Sequence, residues 1–201
     1  MVLLWLLKER IRRIPIKYQI TAVHIDPGFG LDSDSKMESF FIQHGFKYKV
    51  LRTDIGLKAH SPENRENPCF LCSRLRRKLI FQLASDLRCN KIAFGHNKDD
   101  LIETLFLNIF YGASISTMLP VQQLFNGTLS IIRPLYLLDE NMVQRYADYM
   151  ELPIIDLGCP SSVSTKREEI KTMLKTFYRS NKKIKGNIFH ALKNVNTDYL
   201  L

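Results

Sequence analysis

Apolar positions recur with two different spacings along the chain, and the alternation between them predicts the fold. Leu71, Leu75, Leu79, Leu83 and Leu87 return every fourth residue, which makes one stripe of a long helix opening near Pro68. Asn67 in front of it is a good cap, and Pro68 suits the first helical position. Short apolar runs bounded by turn residues predict strands at 19–25, 48–51, 91–94 and 129–132. Helical spacing predicts further helices at 1–13, 36–44, 100–111 and 141–150, the third with Leu101, Leu105 and Ile109 facing inward. Residues 53–67 are polar and read as an irregular connection, and a glycine-containing loop is expected through Pro120. A short strand is expected just before Cys159. Helix and strand thus alternate, the pattern of a parallel sheet covered by helices on both faces.

Beyond residue 160 the pattern changes to two basic amphipathic helices with no strand. The chain therefore divides into an α/β domain over 1–160 and a small helical extension over 161–201. Nine Lys or Arg face two acids between 161 and 195, so this part holds +7 of the formal charge of +9. Such a surface suits a polyanion, although a solvated helix face has the same composition. With 201 residues, 45% apolar and 24% charged, the chain is long enough and apolar enough for a core that needs no disulfides. The opening MVLLWLL is far shorter than the roughly 20 residues that span a bilayer, and its charges follow the apolar run, unlike those of a secretory signal. A cytoplasmic protein is expected.

Candidate chemistry concentrates between Cys69 and Asp100. Cys69 and Cys72 fall three apart in a first helical turn, where unpaired N–H groups are expected to favour thiolate over thiol. Four cysteines in such a chain point to metal or redox chemistry more than to disulfides. A bare CxxC leaves a structural zinc site and free core thiols open as alternatives. Arg74, Arg76, Arg77 and Lys78 lie mostly off the leucine stripe, so the helix is basic wherever it is not apolar. The following strand ends at GHNKDD, where Gly95 permits close approach of backbone to a ligand. Ligands of open α/β sheets bind beyond such strand ends. His24 reads equally as a buried structural histidine, Asp26 as the cap of the turn at Pro27, and His96 as a loop residue without a catalytic role.

PCFLCSRLRR, KIAFGHNKDDLIETLFLNIFYG, IIRPLY and the lone cysteine of PIIDLGCP, taken together, resemble the tRNA 2-thiocytidine synthetases of the PP-loop ATPase superfamily. The likeness extends to VHIDPGF and NIFHALKNV and so covers essentially the whole chain. It implies an adenine-nucleotide hydrolase-like α/β fold, here without its first strand and with a helical C-terminal appendage. It also implies use of ATP and Mg²⁺ to adenylate a pyrimidine carbonyl oxygen of tRNA, which sulfur then replaces. By the same resemblance Cys69, Cys72 and Cys159 hold a [4Fe–4S] cluster. Asp100 and Arg76 are then the catalytic candidates, and His24 and Gly95 adjoin the adenosine. tRNA, ATP and a sulfur donor such as a cysteine desulfurase are the implied partners, with both a monomer and a homodimer open. Lys98 stands where relatives also carry a basic residue, and a surface role serves it equally.

One departure is large. The SGGxDS loop that cradles pyrophosphate in PP-loop enzymes occurs nowhere in the 201 residues, and Met1 stands where the residue after that loop belongs. A start placed too far downstream, or a truncation, is the expectation, with poor ATP binding by the chain as written. The rivals are a non-catalytic RNA- or metal-binding remnant and a tRNA 2-thiouridine synthetase. Lys182, Lys183 and Lys185 are expected to contact tRNA.

Overall fold

The computed structural model describes residues 1–30, 33–162 and 165–199; Leu31 and Asp32 of the turn-rich 27–35 stretch lie outside these. The elements run α1 (Val2–Ile11), β1 (Thr21–Asp26), α2 (Ser33–Gln43), β2 (Lys47–Arg52), α3 (Ile55–Ala59), α4 (Pro68–Asp86) and β3 (Lys91–Ala93). They continue with α5 (Lys98–Gly112), β4 (Val121–Leu124), β5 (Leu129–Ile132), α6 (Glu140–Tyr149), α7 (Lys166–Ser180) and α8 (Ile184–Ala191). Two parallel pairs form the sheet framework, β1 with β2 and β3 with β5, and β4 adds antiparallel to β5. Among the described residues the two sheets share no ladder.

Helix α1 bridges them. Met1 and Trp5 pack on the cluster of Ala22, Met37, Phe41 and Phe46 and also on that of Val2, Leu135 and Leu152. The third cluster joins Leu101 and Ile102 of α5 to Ile170 and Leu174 of α7 and Phe189 of α8. Ile102 is wholly buried there, and removing such a side chain from water contributes ~2–3 kcal/mol. The two C-terminal helices therefore complete a core that α5 alone leaves open.

Several expectations change. Residues 53–67 contain α3, and the expected loop before Pro120 is followed at once by β4, whose alternating burial belongs to an edge strand with one wet face. Residues 152–159 adopt no strand, because no neighbouring strand offers them a ladder. The leucine stripe of α4 is only half-buried, with Ala84 its one buried residue. Ile109 is exposed, since α5 turns that position past the edge of the core.

The loop after β1 is held to the segment after β2. Asp26 Oδ1 accepts from the Gly28 amide at 2.9 Å, the turn expected from the sequence, and the Thr53 amide and hydroxyl donate to the Asp26 carbonyl. Gly28 has φ +90°, and a Cβ there would stand 2.3 Å from the Thr53 carbonyl oxygen, so the close approach admits only glycine.

Candidate functional site

The first turn of α4 is built as its sequence dictates. Asn67 Oδ1 accepts from the Phe70 amide at 3.2 Å, and Pro68 follows where no amide is needed. Cys69 is exposed and Cys72 half-buried on that turn, and Cys159 is half-buried in the loop after α6. The Asp156 carboxylate accepts from the Gly158 amide at 2.8 Å, and the Ser162 amide donates to the Cys159 carbonyl at 3.1 Å, which shape that loop. His60 reaches it from the end of α3: Nε2 lies 2.8 Å from the Ser161 hydroxyl and Nδ1 2.9 Å from the Gly56 carbonyl.

The three thiols lie close enough to repel one another as thiolates. Burial pushes the pKa of Cys69 up, and Cys159 adds to it. Burial likewise raises Cys72, with Arg76 opposing and both other cysteines assisting. The expected drive toward thiolate from the helix terminus is therefore overturned in this structure, because desolvation and mutual repulsion outweigh it. A positive charge bound among the three would reverse the balance. Cys89 stands apart, beyond the other end of α4, roughly 25 Å along a helix of this length.

Arg76 sits one turn after Cys72, and its Nε is buried without a hydrogen-bond partner among the described residues. An orphaned guanidinium nitrogen beside thiols fits an anionic group. Among the described residues no three His, Cys, Asp or Glu side chains close around a single metal ion. A closed structural zinc site takes four ligands, and the three thiols are one short of that set.

The second half of the site lies at the end of β3. Gly95 is exposed, and a Cβ there would meet only the Leu3 Cβ at 3.9 Å, so internal packing does not require the glycine. Asn97 and Asp100 cap α5 reciprocally: the Asn97 amide donates to Asp100 Oδ2 at 2.8 Å, and the Asp100 amide to Asn97 Oδ1 at 3.2 Å. Asp100 Oδ1 stands 3.6 Å from Arg167 of α7, which also donates to the buried Glu103 at 2.9 Å. Burial lowers the pKa of His96, whose Nδ1 accepts from Arg133 Nε at 3.3 Å.

Asp99 is committed to structure. It lies 2.6 Å from Lys185 and accepts the Glu140 amide at 2.7 Å. Lys185 also reaches Asp139, 2.8 Å away, so it is not free for a polyanion as the sequence reading expected. Lys98 pairs with Asp139 at 3.3 Å. His24 faces α2, its Nε2 3.1 Å from the Asp34 carboxylate without the alignment of a hydrogen bond, and Arg52 approaches the same carboxylate at 2.9 Å.

The sequence reading missed His60, Arg133 and Arg167, and it gave Lys185 to tRNA without its carboxylate partners. For Arg167 a signal existed: Lys166 and Arg167 open α7, where positive charge opposes the helix dipole and calls for carboxylate partners.

A PP-loop domain profile matches residues 1–174. The chain is 37% identical over 195 residues to the tRNA-cytidine(32) 2-sulfurtransferase of Alkalilimnicola ehrlichii, covering 94% of this chain and 61% of that protein. It is 34% identical to the tRNA-cytidine(32) 2-sulfurtransferase of Citrifermentans bemidjiense, covering 99% of this chain and 79% of that one. Among solved structures, the U34-tRNA thiolase NcsA from Methanococcus maripaludis with its [4Fe-4S] cluster shares the fold, with a TM-score of 0.77 and 24% identity over 96% of this chain and 66% of its own.

Proposed function

The chain belongs to the PP-loop domain family and, within it, to the tRNA-cytidine(32) 2-sulfurtransferases, and from that membership we propose that it serves ATP-dependent tRNA thiolation. In this reading a pyrimidine carbonyl oxygen, that of a cytidine, is adenylated and then replaced by sulfur. One observation carries the proposal: three thiols from two distant segments share an electrostatic neighbourhood beside the unpartnered Nε of Arg76.

Cys69, Cys72 and Cys159 hold a [4Fe–4S] cluster in this proposal, as the thiolase NcsA carries one. Held by three thiolates, such a cluster would leave one iron without a protein ligand and would supply there a place for the sulfur to be transferred. Arg76 favours the thiolate form of Cys72 and offers its free N–H to negative charge developing on the base or phosphate. Asp100 has Oδ2 fixed by the Asn97 amide and Oδ1 3.6 Å from Arg167, and Oδ1 is the oxygen that would take a proton or hold the Mg²⁺ that accompanies ATP. Gly95 leaves the end of β3 open to adenosine, and His24 stands on the neighbouring sheet with its ring already engaged by Asp34. Among the described residues no helix is long and apolar enough to cross a membrane. The proposal takes the chain as a cytoplasmic enzyme served by a sulfur donor such as a cysteine desulfurase.

Anaerobic reconstitution with iron and sulfide tests the proposal. The chain is expected to turn brown, Cys159→Ala to stay colourless and Cys89→Ala to match the parent. Unchanged cluster content in Cys159→Ala would remove that residue from the ligand set. A second measurement follows sulfur incorporation into tRNA with ATP, read by nucleoside mass spectrometry. A loaded protein that never thiolates tRNA would leave the metal-binding remnant as the better reading, and thiolated uridine would move the chain to the uridine branch.

A further inference from the structure

Helix α4 carries the candidate cluster ligands on its first turn, its cations continue from Arg74 to Lys78, and Arg88 follows just past its end. There they line a cleft of about 810 Å³ between α4 and the turn joining β4 to β5. Arg74, Arg77, Lys78 and Arg88 contribute four positive charges to it, and no carboxylate lines it. Arg74 pairs with Glu66 at 3.1 Å, whereas Arg77, Lys78 and Arg88 enter none of the ion pairs among the described residues. Three of the charges are therefore uncompensated.

The opposite wall of the cleft is aromatic. Phe125 is 62% exposed and meets Phe81 edge-on, with ring centroids 6.0 Å apart and planes at 90°. It leads a turn whose backbone is left-handed at three consecutive positions, with φ of +50° at Phe125, +54° at Asn126 and +85° at Gly127. Arg88 has φ +51° as well. Left-handed backbone costs a residue with a Cβ on the order of 1 kcal/mol; at Arg88 it closes α4, where the Cys89 amide bonds the Ala84 carbonyl, and at Phe125 and Asn126 it turns the chain from β4 into β5. Beyond its edge contact with Phe81, the Phe125 ring is left mostly in water.

We propose that this cleft binds RNA, with an unpaired base stacked on Phe125 and successive phosphates on Arg77, Lys78 and Arg88. Cations alternating with an exposed aromatic face are what single-stranded nucleic acid requires, charge for the backbone and a π-surface for the base. The charge of Arg77 also acts on His96 and Arg133, while Cys89, Asn90 and Leu129 put the cleft at the start of β3 and β5, the opposite end of these strands from Gly95. A second copy of a chain bearing +9 is an unfavourable occupant for a basic trough. The identity of the RNA as tRNA rests on the thiolation reading; the binding surface rests on the cleft.

The test measures tRNA affinity of the whole chain and its variants as a function of salt. Phe125→Ala is expected to weaken binding about tenfold, and Phe125→Trp to restore it with quenching of the new indole by RNA. Arg77→Gln, Lys78→Gln and Arg88→Gln together are expected to lower the slope of log affinity against log salt by roughly 2–3. Lys47→Gln, which removes an exposed cation of β2 and spares the cleft, is expected to bind like the parent. Parental affinity and salt slope in all the cleft variants would overturn this surface alone and return the RNA to α7, α8 and Lys182. Failure of the parent to bind tRNA would overturn the surface and the thiolation reading together.

Discussion

His60 Nε2 stands 2.8 Å from the Ser161 hydroxyl, joining positions 101 residues apart. Because Nδ1 lies 2.9 Å from the Gly56 carbonyl, which can only accept, the ring proton belongs on Nδ1, and Nε2 accepts from Ser161. The ring also meets Phe29 edge-on at 5.4 Å. One histidine thus ties the loop after β1, helix α3 and the Cys159 loop together. His60→Ala removes two hydrogen bonds and a packed ring, a loss of about 2 kcal/mol, and frees Cys159 from its register with Cys69 and Cys72. Its reconstituted cluster is expected to bleach several-fold faster in a chelator than the parent's, while Phe29→Leu changes the melting point without changing the bleaching rate. Equal bleaching in His60→Ala would reduce the histidine to a packing role.

Arg167 bears a second structural load. Glu103 is only 6% exposed, and burial pushes its pKa up while Arg167 restrains it. Arg167→Met leaves that carboxylate buried without its partner, which costs about 3 kcal/mol in denaturant unfolding. Glu103→Gln in the same chain is expected to return a large part of the loss, so the two changes are non-additive. Strict additivity in the double-mutant cycle would show that the pair is not coupled.

Much of this was legible in the sequence, for physical reasons that differ from place to place. Asn67 and Pro68 announced the start of α4 because capping is local chemistry, and Leu101 and Leu105 announced the buried side of α5 because periodicity survives folding. The pairing of Cys69 and Cys72 with Cys159 came from resemblance, since no local rule joins residues 90 apart in sequence. The ion pairs of Arg167 and Lys185 were hidden for the same reason: in a basic stretch each cation reads as solvated until a distant carboxylate is brought to it. The direction of the thiol shifts was misread because the helix terminus is visible in sequence and the burial opposing it is not. The short α3 and β4 have too few residues for a period to emerge.

The Lys185 network gives stability a definite dependence on pH. Burial works to lower the pKa of Lys185, but its bonds to Asp139 and Asp99 raise it above the ordinary 10.5. Burial works to raise Asp139, but Lys185 and Lys98 hold it below the ordinary 3.8. The lysine contribution is fully present below 10.5 and is lost as pH rises through the higher folded value. The Asp139 contribution is present above 3.8 and is lost as pH falls through the lower folded value. Lys185→Met is therefore expected to unfold at lower denaturant than the parent at pH 7, by ~1 kcal/mol given the partial exposure of both groups. The gap is expected to narrow at the alkaline end, where the parent's ammonium loses its proton, and Lys182→Met, on an exposed and unpaired neighbour, to show no gap at either pH. A gap in Lys185→Met that persists unchanged through the alkaline range would mean that the side chain stabilises α8 through its methylenes and not through Asp99 and Asp139.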